Sequence, residues 1–146
     1  MKKILIPIDS SEYSEKAIEQ GKAMAEAFDS NVLLLYVLGI KPVPYRYRST
    51  IPHPLRHDPM TEAEQKQAEE MLEDYKTMFV GMTEKVEIMV KHGSVADEII
   101  KVINETDVDF VIMGSHGLGS VLYRNLVGSV TNKVLHYAEK PILVIK

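Results

Sequence analysis

The chain contains no cysteine. That excludes disulfides, thiolate metal sites and thiol catalysis, and it fits a reducing compartment. No run of apolar residues approaches the length of a membrane span. The opening MKKILIPIDSS superficially resembles a secretory signal. Its apolar run is only Ile4 to Ile8, broken by Pro7 and ended by Asp9, whereas a secretory core needs about 7–15 apolar residues. A first β-strand accounts for it, and a cytoplasmic protein is expected. Asn104-Glu105-Thr106 matches a glycosylation sequon that is inert in a cytoplasmic helix. There is no surplus of positive charge either. A net charge of −4 argues against a general nucleic-acid binder. No internal repeat is visible. The 146 residues therefore read as a single domain over 1–146. A chain of that size buries roughly 68–70% of the surface its unfolded form exposes, and needs no covalent staples.

Five β-branched or apolar runs are present: ILIPI (4–8, β1), NVLLLYVL (31–38, β2), KVEIMV (85–90, β3), DFVIMG (109–114, β4) and PILVIK (141–146, β5). Several are continuously apolar rather than alternating. Strands buried on both faces look like that, as in a parallel sheet covered by helices. Helical spacing fills the gaps. Ala17, Gly21, Met24 and Phe28 form a stripe in 11–28, the expected α1. Ala68, Met71, Leu72, Tyr75, Met78 and Phe79 do so in 61–79 (α2), opened by a capping box of Thr61 and Glu64. Ala96, Ile99, Ile100 and Ile103 mark 94–105 (α3), with Ser94 at its N-cap. Val130, Val134, Leu135 and Ala138 mark 129–138 (α4). These stripes are core faces, and their methionines and tyrosines carry no functional reading. The order βαβαβαβαβ predicts a layered α/β domain with right-handed crossovers. The one break in composition is 41–60, which holds five of the seven prolines. It reads as a long Pro-rich β2–α2 loop within the domain.

In open parallel sheets, ligands bind beyond the carboxyl ends of the strands, where strand order reverses. Asp9-Ser10-Ser11 follows β1. Behind β4 comes MGSHGLGSVLYRNLVGSV (113–130), with four glycines, three serines and the single basic residue Arg124. It is not a Walker loop, because no Gly-Lys-[Ser/Thr] follows. It is not a dinucleotide fingerprint, because Leu122 stands where the third glycine belongs. Successive backbone N–H groups in glycine-rich turns do make anion sites, and Gly128-Ser129-Val130-Thr131 at a helix start would add free N–H groups and a positive dipole end. A phosphate cradle and a plain turn with a helix cap both fit this spacing.

Taken together, KKILIPIDSSEYSEKA, LLLYV, DVDFVIMGSHG and VGSVTNKVLHYAEKPILVIK closely resemble the universal stress protein family over nearly the whole chain. The resemblance implies an open, twisted, five-stranded parallel sheet of order 3-2-1-4-5 with helices on both faces, similar to the adenine-nucleotide α-hydrolases. The switch point then falls between β1 and β4. It also implies a homodimer through the C-terminal strand 141–146, which would otherwise be an exposed apolar edge. Family members that bind ATP carry G-x2-G-x9-G-[S/T]. Gly114 and Gly117 match the first part, and Gly128-Ser129 the second. The spacer LGSVLYRNLV (118–127) has ten residues, one more than the pattern. Carried over by position, Asp9 and Val37 would meet the adenine, with Pro7, Ile8 and Met113 nearby. Gly114 and Gly117 would approach the ribose and phosphates, and Gly128, Ser129, Val130 and Thr131 would hold the phosphates. Asp9 also reads as a cap of the first helix, and the two roles are compatible.

The implied function is an ATP-binding stress-response regulator, with ADP or AMP as other nucleotides and Mg²⁺ on the phosphates. A dimeric interaction module that binds no nucleotide is the alternative. A slow ATPase is a third reading, but the motif offers little beyond Arg124 and Asp9 for phosphoryl chemistry. His116, between two glycines, reads as a loop residue facing solvent or a partner. His53 and His57 have helical metal spacing, but Pro52 and Pro54 surround them, so no metal site is expected. Tyr45, Arg46, Tyr47 and Arg48 interleave as in RNA-stacking surfaces. The acidic balance of the chain favours a lid or a solvent loop there instead, and no nucleic-acid or membrane partner is expected.

Overall fold

The structure is a computed structural model that describes residues 2–40, 60–117 and 127–146. Its strands are β1 (Lys3–Ile8), β2 (Asn31–Gly39), β3 (Val86–Gly93), β4 (Phe110–Gly114) and β5 (Ile142–Ile145). They pair in the order β3-β2-β1-β4-β5, and every pairing is parallel. The expected order is therefore the observed one, and strand order reverses between β1 and β4. The loop read at 41–60 lies outside the described residues up to position 59, as do the histidine pair and the Tyr/Arg run within it.

Alternation along each strand splits the apolar runs between two faces. Ile4, Ile6 and Ile8 of β1 face one side with Val32 and Leu34 of β2, and pack under α1 (Glu12–Phe28) and α2 (Glu62–Lys76). Leu5, Leu33 and Leu35 face the other side with Val111 and Met113, under α3 (Val95–Glu105) and α4 (Ser129–Tyr137). Each fully buried side chain, such as Ile18 or Leu72, contributes roughly 1.5–3 kcal/mol of burial free energy.

The helix ends follow their sequence signals in part. Thr61 and Glu64 form the complete capping box. Ser94 occupies the α3 N-cap, but its side chain makes no cap hydrogen bond. Its hydroxyl serves Asp97 instead, whose carboxyl is held low first by Lys133 and then by Ser94. The Lys133–Asp97 pair, at 2.7 Å, ties α4 to α3. Two stripe residues are not core. Phe28 is 56% exposed and Leu135 is 41% exposed. Phe28 is the last residue of α1, directly before the left-handed Asp29 that ends the helix, so it overhangs the sheet. In α4 the buried positions are Thr131 and Val134, which turns Leu135 about 100° away from the core.

Candidate functional site

β1 stops at Ile8, whose partner is Tyr36. Val37 runs one residue past it, paired only with Lys91 of β3. On the other side, β4 ends at Gly114. A cavity of about 500 Å³ opens over these carboxyl ends. Pro7, Ile8 and Asp9 line it from β1, and Leu35, Tyr36 and Val37 from β2. Met113, Gly114, His116 and Gly117 line it from β4 and beyond, with Val95 and Ile99 of α3. Gly128, Ser129, Val130 and Thr131 close it at the start of α4. All the residues to which the family resemblance gave a nucleotide contact thus border one space. Ser14, Leu35, Tyr36, Val95 and Ile99 join them without having been given a site role, as does His116, which was read as facing solvent or a partner.

The turn after β1 is built around the Asp9 carboxylate. Its Oδ1 accepts a hydrogen bond from the Ser11 N–H at 3.1 Å and another from the Ser14 hydroxyl. The Asp9 N–H donates to Ser14 Oγ at 3.0 Å. Ser10 between them takes a positive φ of 63°. Asp9 is not the cap of α1. Ser11 is, accepting from the Ser14 N–H. The carboxylate instead fastens the turn from outside the helix, two residues before the cap.

The glycine motif is held together as tightly. The Gly128 N–H donates to Ser115 O at 2.7 Å, and the Thr131 hydroxyl donates to Gly114 O at 2.9 Å. A Cβ on Gly128 would lie 3.3 Å from Ser115 O and 3.9 Å from the Gly117 N. The two glycines that bound the longer spacer therefore sit side by side. Residues 118–126 of that spacer, with Leu122 and Arg124, lie outside the described residues. The first intrahelical bond of α4 runs from the Asn132 N–H to Gly128 O at 2.8 Å. The N–H groups of Ser129, Val130 and Thr131 precede it and point toward the cavity end of the helix.

His116 departs from expectation. It is 9% exposed rather than facing solvent. Its Nδ1 lies 2.9 Å from Ser115 Oγ, and its ring packs on Tyr13 with centroids 5.2 Å apart. Tyr13 is held close because Gly114 lacks a Cβ. Among the described residues, no group of three or more His, Cys, Asp or Glu side chains is placed to hold a metal ion, and no helix is long and apolar enough to cross a membrane.

Comparison with known proteins places this geometry. The sequence model of the universal stress protein family matches residues 1–146. The chain belongs to the universal stress protein family. Among the relatives of this universal stress protein is MJ0577 of Methanocaldococcus jannaschii, 31% identical over 99% of this chain and 94% of its own. The solved structure of MJ0577 superposes with a TM-score of 0.77 at 32% identity, covering 99% of this chain and 95% of that one. The universal stress protein UspA of Lactobacillus plantarum shares the fold, with a TM-score of 0.78 at 21% identity over 99% of this chain and 97% of its own. So does an Archaeoglobus fulgidus universal stress protein solved in complex with dAMP. Its TM-score is 0.67 at 18% identity, covering 100% of this chain and 98% of that one.

One contributor to the site, Ser14, escaped sequence reasoning in this universal stress protein, and another, His116, was read there as facing solvent or a partner. Ser14 sits inside an ordinary helical pattern, and only the returning turn at Asp9 gives it a role. A signal was available in SSEYS, where the cap Ser11 is followed three residues later by a second hydroxyl. His116 was hidden by its glycine neighbours, which suggest mobility. The packing of Tyr13 over Gly114 is a tertiary fact with no local trace.

Proposed function

We propose that this universal stress protein binds an adenine nucleotide in the cavity between β1 and β4, and that it acts as a dimeric, cytoplasmic regulator of the stress response. One observation carries the reading. Four separate chain segments, around Asp9, Val37, Gly114–Gly117 and Gly128–Thr131, border a single cavity of about 500 Å³. That volume is within the range of small-ligand sites, roughly 300–1,000 Å³.

The chemistry of the lining suits the parts of such a ligand. Val37, Met113 and Ile99 are apolar walls for a flat base, while Asp9 and the peptide groups of Val37 supply polar contacts at its edge. The start of α4, which has no side-chain cap among the described residues, suits phosphate through the N–H groups of Ser129, Val130 and Thr131 and the positive end of the helix dipole. The hydroxyl of Thr131 is already given to Gly114 O, so Thr131 contributes through its backbone. Mg²⁺ would arrive with the phosphates of ATP, ADP or AMP rather than in a site of the protein's own. The dAMP complex of the Archaeoglobus fulgidus fold relative supports the ligand class. Efficient hydrolysis is not part of the reading, because the Asp9 carboxylate is engaged with the turn. The edge position of β5 supports the dimer.

The test is direct. Freshly purified protein is denatured, and the adenine nucleotide released per chain is measured. The stripped protein is then titrated with ATP by calorimetry. Near-stoichiometric nucleotide or micromolar affinity is expected. No released nucleotide and no heat up to millimolar ATP would overturn the reading and leave a dimeric interaction module.

A further inference from the structure

The geometry points to Ser14 as a positioning residue for base selection, acting through Asp9, and to Gly117 as the residue whose missing side chain makes room for that carboxylate. The inference rests on the nucleotide reading above.

Ser14 is 3% exposed and lies in the first turn of α1, yet it borders the cavity. Its hydroxyl is committed twice to one residue. The oxygen accepts from the Asp9 N–H at 3.0 Å, and its proton goes to Asp9 Oδ1. Oδ1 also accepts from the Ser11 N–H at 3.1 Å. One carboxylate oxygen is thus pinned by two donors from the start of α1. The other, Oδ2, is set against Gly117, where a Cβ would come within 2.4 Å of it. Real side chains do not approach so closely. Gly117 was expected to approach the ribose and phosphates, but its bareness is already required by Asp9. The two donors on Oδ1 hold the carboxylate in this orientation without a ligand.

A fixed carboxylate accepts hydrogen bonds and donates none. Adenine presents a 6-amino donor at its edge, whereas hypoxanthine presents a 6-oxo acceptor at the same place. A preset acceptor should take the first and reject the second, because the 6-oxo oxygen would then face a carboxylate oxygen with no hydrogen between them. A carboxylate free to swing away would discriminate less. Ser14 would act on selection and not on the phosphate end, which lies at α4.

The experiment uses the full chain stripped of nucleotide and titrated with ATP, ITP and dATP. The wild type is expected to prefer ATP over ITP. Ser14→Ala should lower that preference roughly tenfold, the scale of one hydrogen bond to a charged group, with ITP affinity little changed. A role in folding alone would weaken all three ligands together. Gly117→Ala displaces the same carboxylate from its other side and should reproduce the loss of preference, which keeps the test available if Ser14→Ala folds poorly. In an Asp9→Ala background, adding Gly117→Ala should cost little melting temperature, because the clashing oxygen is gone. An unchanged ATP/ITP ratio in both single variants overturns the inference and leaves nucleotide binding intact. A change confined to the ATP/dATP ratio also overturns it, by turning the carboxylate toward the ribose. A wild type that binds none of the three overturns the nucleotide reading and the inference with it.

Discussion

A methyl group at position 114 would lie 2.6 Å from Tyr13 Cβ and 3.1 Å from the Tyr13 carbonyl carbon. Neither atom can swing aside, so α1 itself must move. Gly114→Ala is therefore expected to destabilise the fold by about 1–3 kcal/mol, the usual cost of overpacking, read as a lower urea midpoint with an unchanged slope. Gly128 differs. Its φ of −60° and ψ of 156° are open to any residue, and its nearest obstacle is Ser115 O at 3.3 Å. Gly128→Val is expected to lose ATP binding, because the added branches occupy the approach to the α4 N-terminus, and to lower the melting temperature modestly, because the Ser115 and His116 backbone must give slightly to admit its Cβ. Calorimetry beside a thermal melt separates the two effects, and parental ATP affinity in that variant would remove the phosphates from this helix end. All three glycines border the cavity, but Gly114 and Gly117 are also crowded by Tyr13 and Asp9. The sequence shows which positions are small but not which neighbour demands it, because Tyr13 and Asp9 reach Gly114 and Gly117 only across the sheet. For the same reason the part played by Ser14 was invisible and His116 was read as facing solvent or a partner, while the family resemblance named Asp9, Val37 and Gly128–Thr131, which line the cavity.

Elements were easier to read than contacts. Each strand is bounded within about three residues by its apolar run, since both faces are covered and composition alone marks the boundary. The stripe of α3 falls on the core as spaced, whereas α2 ends at Lys76, so Met78 and Phe79 reach the core from the turn beyond the helix. The errors sit at helix ends, where Phe28 continues the period of α1 but has no sheet left beneath it. Joins between elements were not legible at all. Asp109, directly before β4, accepts from the backbone N–H groups of Lys2 at 2.8 Å and Lys3 at 3.1 Å. Those two bonds, Lys2 first, hold its carboxyl below the usual range, and they clamp the start of β1 to the start of β4. A carboxyl depressed in the folded state stabilises above its unfolded pKa. That contribution is lost as pH falls through the folded value. Asp109→Asn is therefore expected to lower stability at neutral pH. Below about pH 4, where the unfolded carboxyl protonates, the gap to the wild type should close. Denaturant titrations at several pH values check this, and a gap that stayed constant down to pH 2 would mean that the carboxylate charge contributes nothing to the join.

At the scale of the whole molecule, the sheet has two edges, β3 and β5. All four residues of β5 are only partly buried, and exposed Tyr137, at 63%, lies shortly before it at the end of α4. A short apolar edge of this kind is a ready template for pairing with a second copy, and the family resemblance implied a dimer there. The backbone directions allow a clean test. Val111 N–H donates to Pro141 O at 3.0 Å, and Ser115 N–H donates to Ile145 O at 2.7 Å. Alternate residues of a strand turn their peptide groups to opposite sides, so 141, 143 and 145 face β4, while 142 and 144 face outward. Proline removes an N–H and is tolerated where that group points off the sheet. Val144→Pro should therefore leave the β4–β5 ladder and the melting of a monomer intact while removing an outward donor from the edge. If the dimer forms by edge pairing of β5, sedimentation should show the parent as a dimer and Val144→Pro as a folded monomer at the same concentration. A variant that remained dimeric would place the contact on side-chain faces such as Leu135 and Tyr137 rather than on the strand edge. Because the cavity lies over β1 and β4, one strand in from this edge, the same variant also reports coupling. Equal ATP affinity in monomer and dimer would make the nucleotide site complete within one chain. Weaker affinity in the monomer would mean that pairing at β5 holds Gly114 and Ser115, bonded to Ile145, in their binding geometry.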